Sequence, residues 1–257
     1  MLVLGYGVIC YGLFFATFLY LIGFVSGFVV PKAMNDGTTG SLAVSVLINF
    51  GLILLFGLQH SVMARPTCKK RITQYIPEAA ERSTFVLATC AVLALTFWLW
   101  RPLPNVIWDL KTPALRGAVH GLSFAGWGLV LYSSFLINHF DLFGLRQVVL
   151  HFRGRKYFEP GFCMPLAYKL IRNPLMLGMV IGICATPSMT VGHLMFATFM
   201  TTYIFIGVYF EERDLAKKLG PDYVAYRQRT PMLVPRLQRG RGAKVALEDS
   251  GTVAAAV

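Results

Sequence analysis

Tyr168-Lys169-Leu170-Ile171-Arg172-Asn173-Pro174 opens an apolar stretch that turns at Thr186-Pro187-Ser188 and closes on Glu211-Glu212-Arg213-Asp214-Leu215. The two arms, about 175–185 and 189–210, read as a helical hairpin in a membrane, although the first is short for the roughly 20 residues of a full crossing. If the hairpin closes in the bilayer, the cationic mouth at Arg172 and the acidic mouth at Glu211 and Glu212 meet on one side. A Tyr- and Arg-bearing segment then continues to Thr230.

The composition fixes the solvent around this hairpin. With 56% hydrophobic residues, 14% charged residues and a mean hydropathy of +0.59, the chain is too apolar for an ordinary soluble domain and reads as an integral membrane protein. Further apolar runs at about 5–30, 41–64, 83–100 and 117–138 are spanning helices, giving an all-α multispan bundle. The first is no secretory signal, because Lys32 is the first basic residue and the run exceeds a signal core. Residues 101–116 carry Pro102, Pro104, Asn105 and Pro113 and read as turn-rich, whereas the amphipathic 139–174 reads as an interfacial loop or short helix. The membrane domain is expected to occupy 1–235, with 236–257 a loose Arg-, Gly- and Ala-rich tail.

A net charge of +12 in a soluble protein points to nucleic acid, but its placement here argues for membrane topology. Segments 65–82, 139–174 and 211–257 hold 20 of the 24 Lys and Arg residues. The alternate segments hold only Lys32, Arg101, Lys111 and Arg116. The positive-inside rule therefore expects both termini in the cytoplasm of a multi-pass inner-membrane protein, with no nucleic-acid partner. The five cysteines, at 10, 68, 90, 163 and 184, contain no Cys-x-x-Cys pair and indicate neither a disulfide framework nor a metal site.

On this topology the unusual polar residues gather at one face. His60 closes the second span, His139 and Asp141 the fourth, and Glu211 and Glu212 the last, while Arg172 and Asn173 open the hairpin. A single polar residue at a helix end is commonly an anchor, but four such ends together point to a site. Asn before Pro fixes a helix start with free N–H groups, and Arg172 adds a planar fork, which suits a carboxylate or phosphate. Glu211 and Glu212 suit Arg172 itself, a ligand ammonium or a ribose. Tyr223, Tyr226, Arg227 and Arg229 form one face of a following segment that either folds under the hairpin or anchors at the interface.

Tyr-Lys-x-x-Arg-Asn-Pro-Leu-Met-Leu-Gly (168–178), Glu-Glu-Arg-Asp-Leu-Ala-Lys-Lys-Leu-Gly-x-x-Tyr-x-x-Tyr (211–226) and Thr230-Pro231 resemble the C-terminal signature of the isoprenylcysteine carboxyl methyltransferase superfamily. Many members carry Arg-His-Pro where this chain has Arg172-Asn173-Pro174. A narrower resemblance spans nearly the whole chain. Gln59-His60-Ser61-Val62-Met63-Ala64-Arg65 and Asn138-His139-Phe140-Asp141-Leu142-Phe143-Gly144-Leu145-Arg146-Gln147 are similar to the methanethiol S-methyltransferase branch, whose members make dimethyl sulfide. NnrU-like membrane proteins share parts of this pattern, and the alternatives are a prenylcysteine or phospholipid methyltransferase, which needs a lateral cleft open to lipid, and a non-enzymatic NnrU-like protein, which needs no donor site.

The resemblance implies an S-adenosylmethionine-dependent enzyme acting on a small thiol. It implies methyl-donor contacts at Gln147, His151, Tyr168, Arg172, Asn173, Glu211, Glu212 and Arg227. Methyl transfer to a thiol needs the thiolate, so a base near the acceptor sulfur is expected; His139 and His60 are the candidates, with Asp141 orienting or assisting one of them. On a helix, residues 139 and 141 point about 200° apart, so Asp141 serves His60 or Arg146 rather than His139; in an extended segment they share a face. The expected enclosure for a one-carbon thiol is a small apolar pocket, with Phe140, Leu142 and Phe143 as its walls.

Overall fold

A computed structural model describes residues 1–158 and 164–234. Cys163 and the 236–257 tail lie outside the described residues. Among the described residues, five helices are long and apolar enough to cross a membrane: α1 (Leu2–Ser26), α2 (Leu42–Met63), α4 (Glu78–Leu99), α5 (Pro113–Leu136) and α10 (Val191–Leu219). Short helices α3 (Pro66–Ile72), α6 (His139–Leu142), α7 (Leu145–Phe152), α8 (Ala167–Leu170) and α11 (Pro221–Arg229) collect at the basic end. The chain is thus an all-α multispan membrane bundle.

The short arm of the hairpin, α9 (Pro174–Cys184), has only 11 residues and is braced mainly by α5. Glycines make that contact close. A Cβ on Gly126 would come within 2.6 Å of the Gly182 nitrogen, and one on Gly178 within 2.6 Å of the Gly126 oxygen. With little hydrophobic force between helices in lipid, such backbone-to-backbone packing supplies the association. His193 ties the second arm to the first, its Nε2 lying 2.7 Å from the Ile183 carbonyl oxygen. Around this seam Phe24, Trp100, Trp127, Ile183 and Phe196 form the buried centre of the bundle.

At the end away from the basic helices, the proline-rich segment contains a strand. β1 (Val106–Asp109) pairs antiparallel with β2 (Ser188–Thr190), Val106 opposite Thr190 and Asp109 opposite Ser188. The prolines at 102 and 104 precede the strand, so they remove no ladder donor from it. Thr190 then caps α10, its Oγ1 accepting from the His193 N–H at 3.2 Å.

Among the helix ends that differ from the sequence expectation, two build the site. Helix α4 begins at Glu78 rather than 83, because Glu78 and Glu81 complement the positive helix N-terminus; Arg82 therefore sits on the helix instead of in a loop. Helix α10 runs on through Glu211 and Glu212 to Leu219, since the residues after Phe210 are good helix formers and Gly220, at φ 65°, stops them. Gly144, at φ 87°, turns α6 into α7 and presses on α4, where a Cβ would meet the Ser83 nitrogen at 2.7 Å. Arg82 secures the same junction by donating from Nε to the Leu142 carbonyl at 2.7 Å.

Candidate functional site

The mouth of the hairpin closes on itself. Arg172 donates from Nε to Glu212 Oε1 at 2.7 Å and from Nη2 to Oε2 at 3.0 Å, a fork on a carboxylate that is 5% exposed. Its Nη1 donates to the carbonyls of Arg227 (2.7 Å) and Thr230. The backbone follows, with the Arg172 and Asn173 N–H groups donating to the Pro231 and Met232 carbonyls at 2.9 and 3.1 Å. Asn173 does not cap α9; its Nδ2 donates to Glu212 Oε1 at 3.2 Å, leaving the helix start uncapped by a side chain. Arg227 completes the cluster with Nε 3.5 Å from Glu212 Oε2.

Arg172 therefore acts as a clasp that draws α11 and the segment after it against α9 and α10, with most of its donors already used. The Tyr- and Arg-bearing segment folds under the hairpin, the first of the two expected alternatives. Tyr223 and Tyr226 are buried there, and burial above all pushes both phenols up to about 12, so they remain protonated donors. Tyr226 donates to the Tyr168 carbonyl at 2.6 Å.

Glu211, one residue from Glu212 and 100° around the helix, is exposed and faces a different group. Arg82 lies within electrostatic reach of Glu211, Asp141, Glu81 and His60, and so links the α4, α6, α10 and α2 contributions at one end of the bundle. Five buried oxygens of described residues at this end have no hydrogen-bond partner: the acceptors Gln59 Oε1, Glu81 Oε1 and Gln147 Oε1 and the hydroxyls of Ser83 and Ser133.

The two histidines occupy contrasting places. His60 is half-buried in a collar of Phe56, Phe85 and Tyr203, with ring centroids 5.5, 4.8 and 6.3 Å away. Its Nδ1 lies 3.4 Å from Thr89 Oγ1, whose own hydrogen goes to the Phe85 carbonyl. That makes Nδ1 the protonated nitrogen and leaves Nε2 a lone pair with no partner among the described residues. His139, by contrast, is 2% exposed and engaged at both nitrogens. Ser134 Oγ, donating to the Leu131 carbonyl, lies 2.8 Å from its Nδ1, and the Tyr11 hydroxyl lies 2.9 Å from its Nε2. Phe135 stacks on the ring at 4.2 Å, and burial lowers the imidazole below its ordinary value.

Asp141 and His139 do lie on one short helix, and they diverge as the 200° separation requires. Asp141 binds Arg146 at 3.3 Å and accepts from the Tyr157 hydroxyl at 3.0 Å. The expected walls divide likewise: Phe140 and Phe143 ring His139, together with Phe14. Gln147 donates from Nε2 to the Asp141 carbonyl at 3.0 Å, while His151 lies exposed on α7. Sequence reasoning missed Arg82, Tyr11, Ser134 and Tyr203. Only Arg82 carried a signal, as a cation just after Glu78 and Glu81 at a helix start.

Curated relatives are similar over most of the chain. A methanethiol S-methyltransferase 1 of Bradyrhizobium diazoefficiens is 50% identical over 230 residues, covering 90% of this chain and 81% of its own. A methanethiol S-methyltransferase of Mycobacterium tuberculosis is 46% identical over 230 residues, covering 90% and 94%. Nurim of Bos taurus is more distant, at 29% over 188 residues, with 68% of this chain and 70% of its own covered. No protein-family profile matches the chain, and no solved structure matches it.

Proposed function

The chain belongs to the methanethiol S-methyltransferase family, and from that premise we propose that it methylates methanethiol to dimethyl sulfide with S-adenosylmethionine as the methyl donor. The observation that carries the site is His60: an imidazole with one unoccupied nitrogen, inside an aromatic collar, at the bundle end where Arg82 and Glu211 meet.

The residues fit the methyl donor. Its ammonium, sulfonium, ribose hydroxyls and adenine amino group are cations or hydrogen-bond donors that suit the orphaned acceptors Gln59 Oε1, Glu81 Oε1 and Gln147 Oε1 and the carboxylate of Glu211 at the same end, and its own carboxylate suits the free N–H groups at the uncapped start of α9. Glu211, Gln147 and the uncapped start of α9 would hold it, while Glu212, Arg172, Asn173, Tyr168 and Arg227 shape that mouth through the clasp. When bound, it supplies a methyl group on a positively charged sulfur that departs as a neutral thioether.

His60 Nε2 takes the thiol proton, and Thr89 fixes the tautomer that makes this nitrogen the acceptor. With the donor bound, the thiolate would take its methyl group as the donor leaves as a neutral thioether, and the proton on His60 would return to water. Phe56, Phe85 and Tyr203 give a one-carbon thiol the small dry enclosure that its scant surface requires. Holding the two sulfurs in line with the methyl carbon contributes roughly 7–11 kcal/mol, more than the base. His139 supports the wall from behind Tyr11 rather than acting on the thiol. The distribution of basic residues supports an inner-membrane location with both termini and this site cytoplasmic.

Cells expressing the chain and fed methanethiol are expected to release dimethyl sulfide into the headspace. Release no greater than from cells carrying an empty vector, with the protein present in the membrane, overturns the reading.

A further inference from the structure

The end of the bundle opposite the site carries four cations, and they divide into two pairs. Lys111 and Arg116 both bind Asp109, at 2.5 and 2.8 Å. Lys32 and Arg101 have no carboxylate within ion-pair distance among the described residues, and they converge on one cavity of about 280 Å3 shared with Thr38, Trp98 and Trp100. Burial, then Arg101 itself, lowers the Lys32 ammonium below its ordinary value, and Asp36 offsets this only in part.

Both cations are held in place without being neutralised. The Lys32 ammonium donates to the carbonyls of Trp98 (2.6 Å) and Trp100 (3.0 Å), leaving a third N–H. Arg101 is fixed through its backbone, its N–H donating to Asn49 Oδ1 at 2.9 Å and its carbonyl accepting from Asn49 Nδ2 at 2.8 Å; its side chain is exposed.

A second cavity, about 460 Å3, shares Lys32 and Trp98 with the first and continues between α1 and α4 over Ala16, Thr17, Tyr20 and Ala94. Its lining runs from Tyr20, whose hydroxyl donates to the Lys32 carbonyl at 3.2 Å, back to Ala16 on α1 and from Trp98 back to Ala94 on α4, four residues each or about 6 Å of helix. Trp98, 74% exposed, stands at the junction, where an amphipathic ring marks the interface. A polar cationic cup thus opens into a short apolar groove about one helical turn deep, enough for the first carbons of an acyl chain.

We infer that Lys32, Arg101 and the α1–α4 groove bind one anionic phospholipid, its phosphate in the cup and an acyl chain in the groove. Two unpaired cations above an apolar channel complement that amphiphile, whereas free phosphate would leave the groove unused and a zwitterionic lipid would bring its own cation. The inference does not rest on the methyl-transfer reading.

The test uses purified full-length protein in neutral detergent, titrated with dioleoylphosphatidylglycerol, dioleoylphosphatidylcholine or inorganic phosphate and read by native mass spectrometry. Phosphatidylglycerol is expected to bind at least about fivefold more tightly than phosphatidylcholine, the contribution of a single basic residue near a lipid headgroup. Arg101→Gln is expected to erase most of that preference. Ala94→Phe, at an exposed groove position that tolerates bulk, is expected to weaken phosphatidylglycerol binding. Equal binding of the two lipids, displacement of phosphatidylglycerol by equimolar phosphate, or an undiminished preference in both folded variants would overturn it.

Discussion

Replacing each histidine by alanine separates chemistry from support. His139 is enclosed, and its removal takes away the partner of the Tyr11 hydroxyl and the stack on Phe135, while Ser134 keeps the Leu131 carbonyl. The loss compares with removing a buried aromatic ring, about 3–5 kcal/mol. At roughly 2–4 °C per kcal/mol for a chain of this size, His139→Ala should lower the thermal midpoint by roughly 6–20 °C. His60 is half-buried with one long contact at 3.4 Å, so His60→Ala should cost about 1 kcal/mol, or roughly 2–4 °C. Turnover should move the other way. Loss of the base in His60→Ala should cut turnover at least about tenfold at pH 7, within the 10²–10⁴-fold ceiling of a general base, and the deficit should shrink toward pH 9 as free thiolate accumulates. The assays are dimethyl sulfide production at saturating methyl donor and differential scanning fluorimetry on the same preparations. A stable, fully active His60→Ala, or a His139→Ala that loses turnover with no change in midpoint, would refute the assignment.

Other consequences are as direct. Because burial lowers the His139 imidazole, the unfolded chain takes up the proton first as pH falls below about 6.5; the stability from neutral His139 is present above that pH and lost below it, so the acid-side fall in midpoint should be shallower in His139→Gln. Arg172→Ala leaves the buried Glu212 carboxylate with only Asn173 and the longer Arg227 contact and should cost about 2–3 kcal/mol in thermal melts, and Arg172→Lys, lacking the planar fork, should recover only part of it. Gly126→Leu places a side chain where the α9 backbone lies 2.6 Å from a Cβ, and should abolish folded yield by size exclusion. A reporter fused after Val257 should read cytoplasmic and one inserted within 102–113 external; the reverse would place the site outside the cell.

The spans were legible because unbroken apolar runs admit few other structures, and the boundaries of α2 and α5 fall within a few residues of those expected. The ends of α4 and α10 were not, since charged helix formers extend a helix past the membrane with no change in apolar pattern. That is how Arg82 escaped notice and how Glu211 and Glu212 came to sit within a helix. The charged mouths do meet, as the motif around Arg172 and Glu212 suggested, yet sequence gave no means to see that Arg172 is consumed by its own chain. The different surroundings of the two histidines were equally hidden. His139 stands in the longer motif, but Tyr11 lies 128 positions away and no local pattern announces their hydrogen bond. Strand β1 was obscured by the prolines that precede it.

The central claim is transfer of an intact methyl group from S-adenosylmethionine to methanethiol. Purified protein supplied with donor bearing a trideuterated methyl and with unlabelled methanethiol should yield dimethyl sulfide three mass units heavier than the unlabelled compound, in step with S-adenosylhomocysteine. Unlabelled dimethyl sulfide, or S-adenosylhomocysteine formed at the same rate without methanethiol, would contradict it.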